Sequence, residues 1–585
     1  MRKTKIVCTI GPACSDEATL TEMCRAGMNV ARLNFSHGTH ADHLDHIEKI
    51  KRIREKLNLP IAILLDTKGP EYRIRTFKDG KVMLHEGDTF TFTTDEGVIG
   101  DETRVAVSYA GLADDLEAGD LILLNNGLLA FRVDDVRGGE VITTVTTGGE
   151  LSDRKSMSFP GKVLHQVYLS EQDKDDIRFG LENGVDFIAC SFVSCRQDLV
   201  DVKNFLRECG DEGTELIAKI ENRAGIENIE EICEECSGIM IGRGDMGVEI
   251  PFEELPSIQK QLITSCRLLG KRVITATEML ESMIHNIRPT RAEISDVANA
   301  IYDGTSAIML SGETAAGAYP VEALKTMSAI AERTEQEGFH LRGRMMDSNP
   351  GKISVSDATA HAACLTARDV NAAAIVTVSE SGTTARLLSK YRPQQPIIAC
   401  VMREQVQRQL SLSWGITPLM MSLAHSTDEL IEMSTALAKE NGYLHNGELA
   451  VVTAGVPVGV SGTTNMIKIH MVGNCLATGV GVGPENNDVA SGKACVCRTM
   501  DEVRAKFKPG MVLVVPSTSN EMLSFVRDAA ALVVEEPGLN SHAAIAGKAL
   551  LKPTVVGAAG ATSHIRDGLM VAVDCAHGSV QRLQG

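Results

Sequence analysis

Positive charge is what this chain lacks most in proportion: 58 Lys and Arg stand against 77 Asp and Glu, a formal net charge of −19. That balance argues against nucleic acid as a partner, and it requires any bound phosphate to be held by a local cluster. No apolar stretch approaches the ~20 residues that cross a bilayer. The apolar run at the N-terminus stops at Gly11-Pro12, too short for a signal peptide. A cytoplasmic protein with no membrane partner is therefore expected. The 15 Cys are scattered, mostly inside apolar runs such as those around Cys8, Cys190 and Cys400. This fits reduced, buried thiols. Cys233-Glu-Glu-Cys236 has zinc-like spacing but no second pair near it, and reads as two helix positions. Aromatics reach only 4%, with one Trp, whereas Gly numbers 52, which suits α/β units with helices packed closely on strands.

A chain of 585 residues is long enough for three or four domains. Short β-branched apolar runs alternate with amphipathic helical stretches. Lys5 to Gly11, Met28 to Phe35, Ile61 to Thr67, Asp186 to Phe192, Glu215 to Glu221, Gly238 to Asp245, Arg272 to Glu278 and Ser306 to Thr314 each read as a strand. Eight such strands are the count of a closed (β/α)8 barrel. Their ends repeat one feature, polar side chains: Asn34 and Ser36, Asp66 and Thr67, Ser191, Lys219 and Glu221, Arg243 and Asp245, Thr277, then Ser311 and Glu313. Polar groups gathered at one mouth of a barrel mark an active site. A buried strand can end in Lys219 and Glu221 only where a cleft compensates them. A lysine beside two carboxylates is suited to hold a divalent metal and to stabilise charge on a phosphoryl group or an enolate. The alternative is a buried ion-pair network.

The spacing breaks between the third and fourth strands, where a β-rich insert carries a hairpin signal at Asn126-Gly127. The expected division is a barrel over 1–69 and 167–345, a β-rich lid over 70–166, an α/β domain over 350–472 and a last domain over 473–585. A polar connector spans Arg342 to Pro350. In the α/β domain a strand feeds Ser379-Glu-Ser-Gly-Thr-Thr384, whose hydroxyls and backbone amides suit a phosphate.

Several segments together resemble pyruvate kinase: Ala31-Arg-Leu-Asn-Phe-Ser-His-Gly38, Leu65-Asp-Thr-Lys-Gly-Pro-Glu71, Lys219-Ile-Glu-Asn222, Gly242-Arg-Gly-Asp-Met-Gly-Val-Glu249, Thr275-Ala-Thr-Glu-Met-Leu280 and Met309-Leu-Ser-Gly-Glu-Thr314. The resemblance implies phosphoryl transfer from phosphoenolpyruvate to ADP, giving pyruvate and ATP, by a homotetramer under control of a phosphorylated effector. It implies Mg2+ (or Mn2+) on Glu221 and Asp245, and K+ at Asn34, Ser36, Asp66 and Thr67. Lys219 is placed to stabilise the phosphoryl and the enolate, Arg32 to clamp the phosphate, and Gly244, Asp245 and Thr277 to hold the carboxylate. Nucleotide is implied near Asn34, Ser36, His37, Arg73 and, from the lid, Lys155. Ser379, Ser381, Gly382 and Thr384 are implied for the effector. A water relay with Ser311 and Glu313 is the expected route for the proton. Glu71, where some relatives have a Lys, predicts dependence on K+.

The lid departs from the family pattern at Asn125-Asn126-Gly127 and Lys155-Ser-Met-Ser-Phe-Pro160, and Gly242 and Glu278 replace the usual Ala and Gln. The last domain resembles the mobile phosphohistidine domain of phosphoenolpyruvate-utilising enzymes, with Asn540-Ser-His542 at the motif. His542 could accept a phosphoryl group; the competing reading is an appendage, since the barrel already transfers phosphate directly to ADP.

Overall fold

The computed structural model describes residues 2–162, 164, 167–337, 353–456, 464–473, 475–483 and 489–583; the expected connector from Arg342 to Pro350 lies outside them. The chain packs as two units, one of residues 1–354, 380–392 and 401–420, the other of 355–379, 393–400 and 421–585.

In the first unit eight parallel strands close into a barrel: β1 (Lys5–Thr9), β2 (Val30–Asn34), β3 (Ala62–Asp66), β4 (Phe187–Cys190), β5 (Glu215–Ile220), β6 (Gly238–Gly242), β7 (Arg272–Ala276) and β8 (Ala307–Leu310). Closure is made by Lys5 to Cys8 pairing with Ala307 to Leu310. Residues of alternating direction fill two layers, as a closed sheet requires. Val7, Ala62, Ile217 and Ile274 fill the lumen, while Ile6, Ile63, Ala218 and Val273 pack outward under the helices.

Every barrel strand ends sooner than the sequence pattern predicts, β6 and β8 by the most. β6 stops at Gly242, and Arg243–Glu249 turns into a short helix; β8 stops at Leu310, and Gly312–Ala315 does the same. The polar residues read as strand ends there are helix starts, which turns them across the mouth.

Between β3 and β4 a seven-stranded sheet forms around Phe90, Phe92 and Phe131. Its hairpin turns at Asn125, Asn126 and Gly127, with φ of 53°, 57° and 78°. Asn and Gly are the residues that tolerate this left-handed backbone.

In the second unit strands Ile397–Val401, Ala374–Val378, Leu449–Gly455 and Thr464–Met471 adjoin in that order. Downstream, an eight-stranded mixed sheet is centred on Val489–Val496, Val512–Val515 and Ala531–Val534.

Candidate active site

Four charges alternate across the barrel mouth. Lys219, near the end of β5, donates to Ser191 Oγ at 2.7 Å and lies 3.2 Å from Asp66 Oδ1 and 3.1 Å from Glu221 Oε1. Asp66, which has no exposed surface, accepts from Arg32 Nε at 2.5 Å on its other oxygen. Arg32 in turn donates to Thr9 Oγ1 at 2.9 Å. The strand pairing that sets Asn34 opposite Asp66 brings these side chains together.

The neighbours decide the charge states. Burial would lower the Lys219 pKa, but Asp66 and Glu221 outweigh it and hold the ammonium above its ordinary value. Burial would raise Asp66, and Arg32 with Lys219 reverse that, so it stays ionised. Glu221 goes the other way. Burial lifts it to about 7, with Lys219 opposing and the Asp245 charge adding. Two cations, Lys219 and Arg32, therefore face ionised Asp66, a Glu221 that holds its proton more tightly than usual, and exposed Asp245. Burial first, and the Asp245 charge second, make the Glu221 carboxylate one that a further cation would stabilise, and the oxygens of Glu221 and Asp245 are of the donor type suited to Mg2+.

The neighbouring loops complete the mouth. Glu221 Oε2 accepts the Phe192 amide at 2.9 Å. The Gly244 amide donates to Thr277 Oγ1 at 2.9 Å, tying the start of the short helix to the loop after β7. Thr277 and Glu278 both have positive φ, 66° and 52°, a strained conformation for residues with side chains. Gly242 allows the close approach of Glu221: a Cβ there would sit 2.6 Å from Glu221 Oε1.

On the far side, Asn34 Oδ1 accepts the Ser36 amide at 3.1 Å, and Ser36 and His37 are exposed. Thr67 O lies 2.7 Å from Ser191 Oγ, so one hydroxyl joins Lys219, Asp66 and Thr67. Asn34, Ser36, Asp66 and Thr67 come from two adjacent strand ends, with a single charge among them. Barrel and β-rich insert together border a cleft of about 330 Å³ lined by Glu71, Arg73, Asn126, Glu221, Asp245 and Glu249, among others. Arg73 pairs with Glu71 and donates to Arg154 O. Lys155 lies outside the lining, although Ser156 beside it belongs to it.

Ser311 and Glu313 are set back. Glu313 is fully buried, and its two oxygens accept the amides of Leu280 and Ser311 at 2.9 and 2.7 Å. The Ser311 hydroxyl is buried with no hydrogen-bond partner among the described residues. Ser379, Ser381 and Gly382 fall on the loop between strand Ala374–Val378 and helix Thr383–Lys390, and Thr384 lies in the first turn of that helix; Gly382 has φ of 75°.

A family model of the pyruvate kinase barrel domain matches residues 1–324, and one of the pyruvate kinase alpha/beta domain matches 357–470. The chain belongs to the pyruvate kinase family. Pyruvate kinases of Geobacillus stearothermophilus and Bacillus licheniformis are each 46% identical to it, over 99% and 100% of this chain and 99% of theirs. The crystal structure of a pyruvate kinase from Cryptosporidium parvum superposes with a TM-score of 0.77 at 38% identity, covering 80% of this chain and 96% of that one. A model of the PEP-utilising enzyme mobile domain matches residues 507–578. The function that accompanies this membership is pyruvate kinase activity.

Three residues at the barrel mouth differ from what their sequence signal suggests. Ser191 bridges the lysine and the Asp66 strand end, yet a lone serine at a strand end carries no motif. Arg243, read from the sequence as a cleft cation, turns away from the cleft onto backbone carbonyls. Glu249 lines the cleft and is raised to about 7 by burial. In the last domain, His542 is bonded at both ring nitrogens, to Thr518 Oγ1 at 2.8 Å and Asn520 Oδ1 at 2.9 Å.

Proposed function

We propose that this enzyme transfers the phosphoryl group of phosphoenolpyruvate to ADP at the mouth around Lys219, and then protonates the enolate to pyruvate. The observation that carries the reading is the buried ammonium of Lys219 held between Asp66, Glu221 and Ser191. A cation fixed before substrate arrives stabilises charge as it develops, with no reorganisation during the reaction. Arg32, anchored by Asp66 and Thr9, takes the phosphate. The Gly244 and Asp245 backbone with Thr277 takes the carboxylate. Glu221 and Asp245 are the Mg2+ ligands, and bound Mg2+ supplies charge neutralisation between the two anionic substrates. Asn34, Ser36, Asp66 and Thr67 hold K+, and Glu71, engaged with Arg73, puts no ammonium there in its place. Asn34, Ser36, His37, Arg73 and Lys155 serve the nucleotide, Lys155 after a movement of the lid.

Ser311 remains the proposed end of the proton relay, supported by its unpartnered hydroxyl, with Glu313 as the residue that orients its backbone. The loop with Ser379, Ser381, Gly382 and Thr384 receives a phosphorylated effector, a reading supported by its hydroxyls and positive-φ glycine. Homotetrameric assembly in the cytoplasm rests on the family; among the described residues no helix is long and apolar enough to cross a membrane. For the last domain the appendage reading is preferred. If Asn520 Oδ1 accepts from Nε2–H of His542, Nδ1 must accept from Thr518, and a neutral ring with both nitrogens engaged offers no free lone pair for a phosphoryl group.

The test is pyruvate formation from phosphoenolpyruvate and ADP with Mg2+, with and without K+. Turnover that rises strongly with K+ is expected. Turnover indifferent to K+ would overturn the monovalent site, and no pyruvate under either condition would overturn the reaction.

A further inference from the structure

Thr277 and Glu278 stand in left-handed backbone, and neither is a glycine. Something must hold them there, because a residue with a side chain leaves that conformation when nothing over-determines it. The guanidinium of Arg243 is packed against this turn. Its Nε lies 3.1 Å from both Ala276 O and Thr277 O, and Nη2 donates to Thr277 O at 2.5 Å and to Glu278 O at 3.2 Å. Nη1 faces the opposite way, to Asp296 Oδ2 at 2.8 Å on helix Arg291–Asp303, and to Gln259 Oε1 at 3.4 Å on helix Leu255–Leu268. Three consecutive carbonyls thus converge on one planar cation that is itself anchored to two helices. One residue further along, the Gly244 amide reaches the Thr277 hydroxyl. The two loops that would hold the substrate carboxylate are locked together on either side of the strained turn.

We infer that Arg243 is a positioning residue: it never meets substrate, but clamps the Ala276–Glu278 turn so that Thr277 is presented to the carboxylate of phosphoenolpyruvate. The inference rests on the substrate reading given above. A lysine cannot replace it, because the fork geometry that spans successive carbonyls belongs to guanidinium. Glu278 has an exposed side chain and shares the positive φ of the turn. Glycine adopts positive φ without penalty, so Glu278→Gly should lessen the need for the clamp.

The experiment measures kcat and both KM values for wild type, R243K, R243M, E278G and R243M/E278G, with folding of each checked by circular dichroism. In R243M, kcat/KM for phosphoenolpyruvate is expected to fall on the order of a hundredfold, as misplacement by about an ångström can cause, with KM for ADP changed less than about threefold. R243K should fall about tenfold, and the double variant should recover about fivefold or more over R243M. If R243M does not fold, R243K against R243K/E278G gives the same reading. Folded Arg243 variants with unchanged kcat/KM, or equal damage to both substrates with no recovery from E278G, would overturn the clamp. An inactive wild type would instead overturn the substrate reading.

Discussion

At the scale of single residues, the mouth is organised by charge compensation. Each of Arg32, Asp66, Lys219 and Glu221 is buried or nearly so, and each touches an opposite charge, which is what makes their burial tolerable. Gly242 is part of this economy, since it leaves room for the Glu221 carboxylate. The bulkier G242V should push that carboxylate aside and raise the apparent dissociation constant for Mn2+ about tenfold, measured by electron paramagnetic resonance of the free ion. An unchanged constant would mean that the carboxylate moves without consequence for the metal. Motif residues were the legible part of the site, because Lys219, Glu221 and Asp245 are charges where apolar strands end. Arg243 was equally visible in the sequence, but its direction was not. That is set by the helix that begins at residue 243 and by Asp296, some fifty positions away.

Among elements, the parallel strands were readable because each is a short apolar run buried on both faces. Their ends were not. Polar residues after β6 and β8 continue the chain as short helices, a change that local pattern does not separate from a strand emerging into solvent. The helix after β6 ends at Glu249, whose carboxylate is lifted to about 7 by burial against the opposing effect of hydrogen bonds from the backbone at Arg223 and at Phe159 of the β-rich insert. In the folded protein this side chain holds its proton to about pH 7, whereas an exposed glutamate releases it near 4.5. The stability it contributes is complete below that lower value and is lost as pH rises through about 7. In metal-free protein, the stability difference between wild type and E249Q should shift by on the order of 1–3 kcal/mol across this window, followed by urea denaturation at several pH values. A difference constant with pH would contradict the assignment.

For the whole molecule, the barrel and the sheet-rich insert contain every residue proposed for the chemistry, and the last domain contains none. That domain packs within the second unit beside the turn at Asn446 and Gly447, where Asn446 reaches Gln581 and a Cβ on Gly447 would lie 3.3 Å from Ser579. A chain cut after Val472 should keep kcat within about threefold while losing thermal stability, because activity and packing are separable across folds. H542A should leave turnover unaltered, and phosphoenolpyruvate labelled in its phosphate should leave no acid-labile label on the wild type. Label that disappears in H542A would reverse the reading of this domain. The central claim is that Lys219 carries the transfer step. Steady-state pyruvate formation by K219M, with phosphoenolpyruvate binding measured in parallel, tests it most directly. The prediction is a loss of kcat on the order of a thousandfold or more with binding retained within about tenfold, whereas a folded K219M that turns over near the wild-type rate would contradict it.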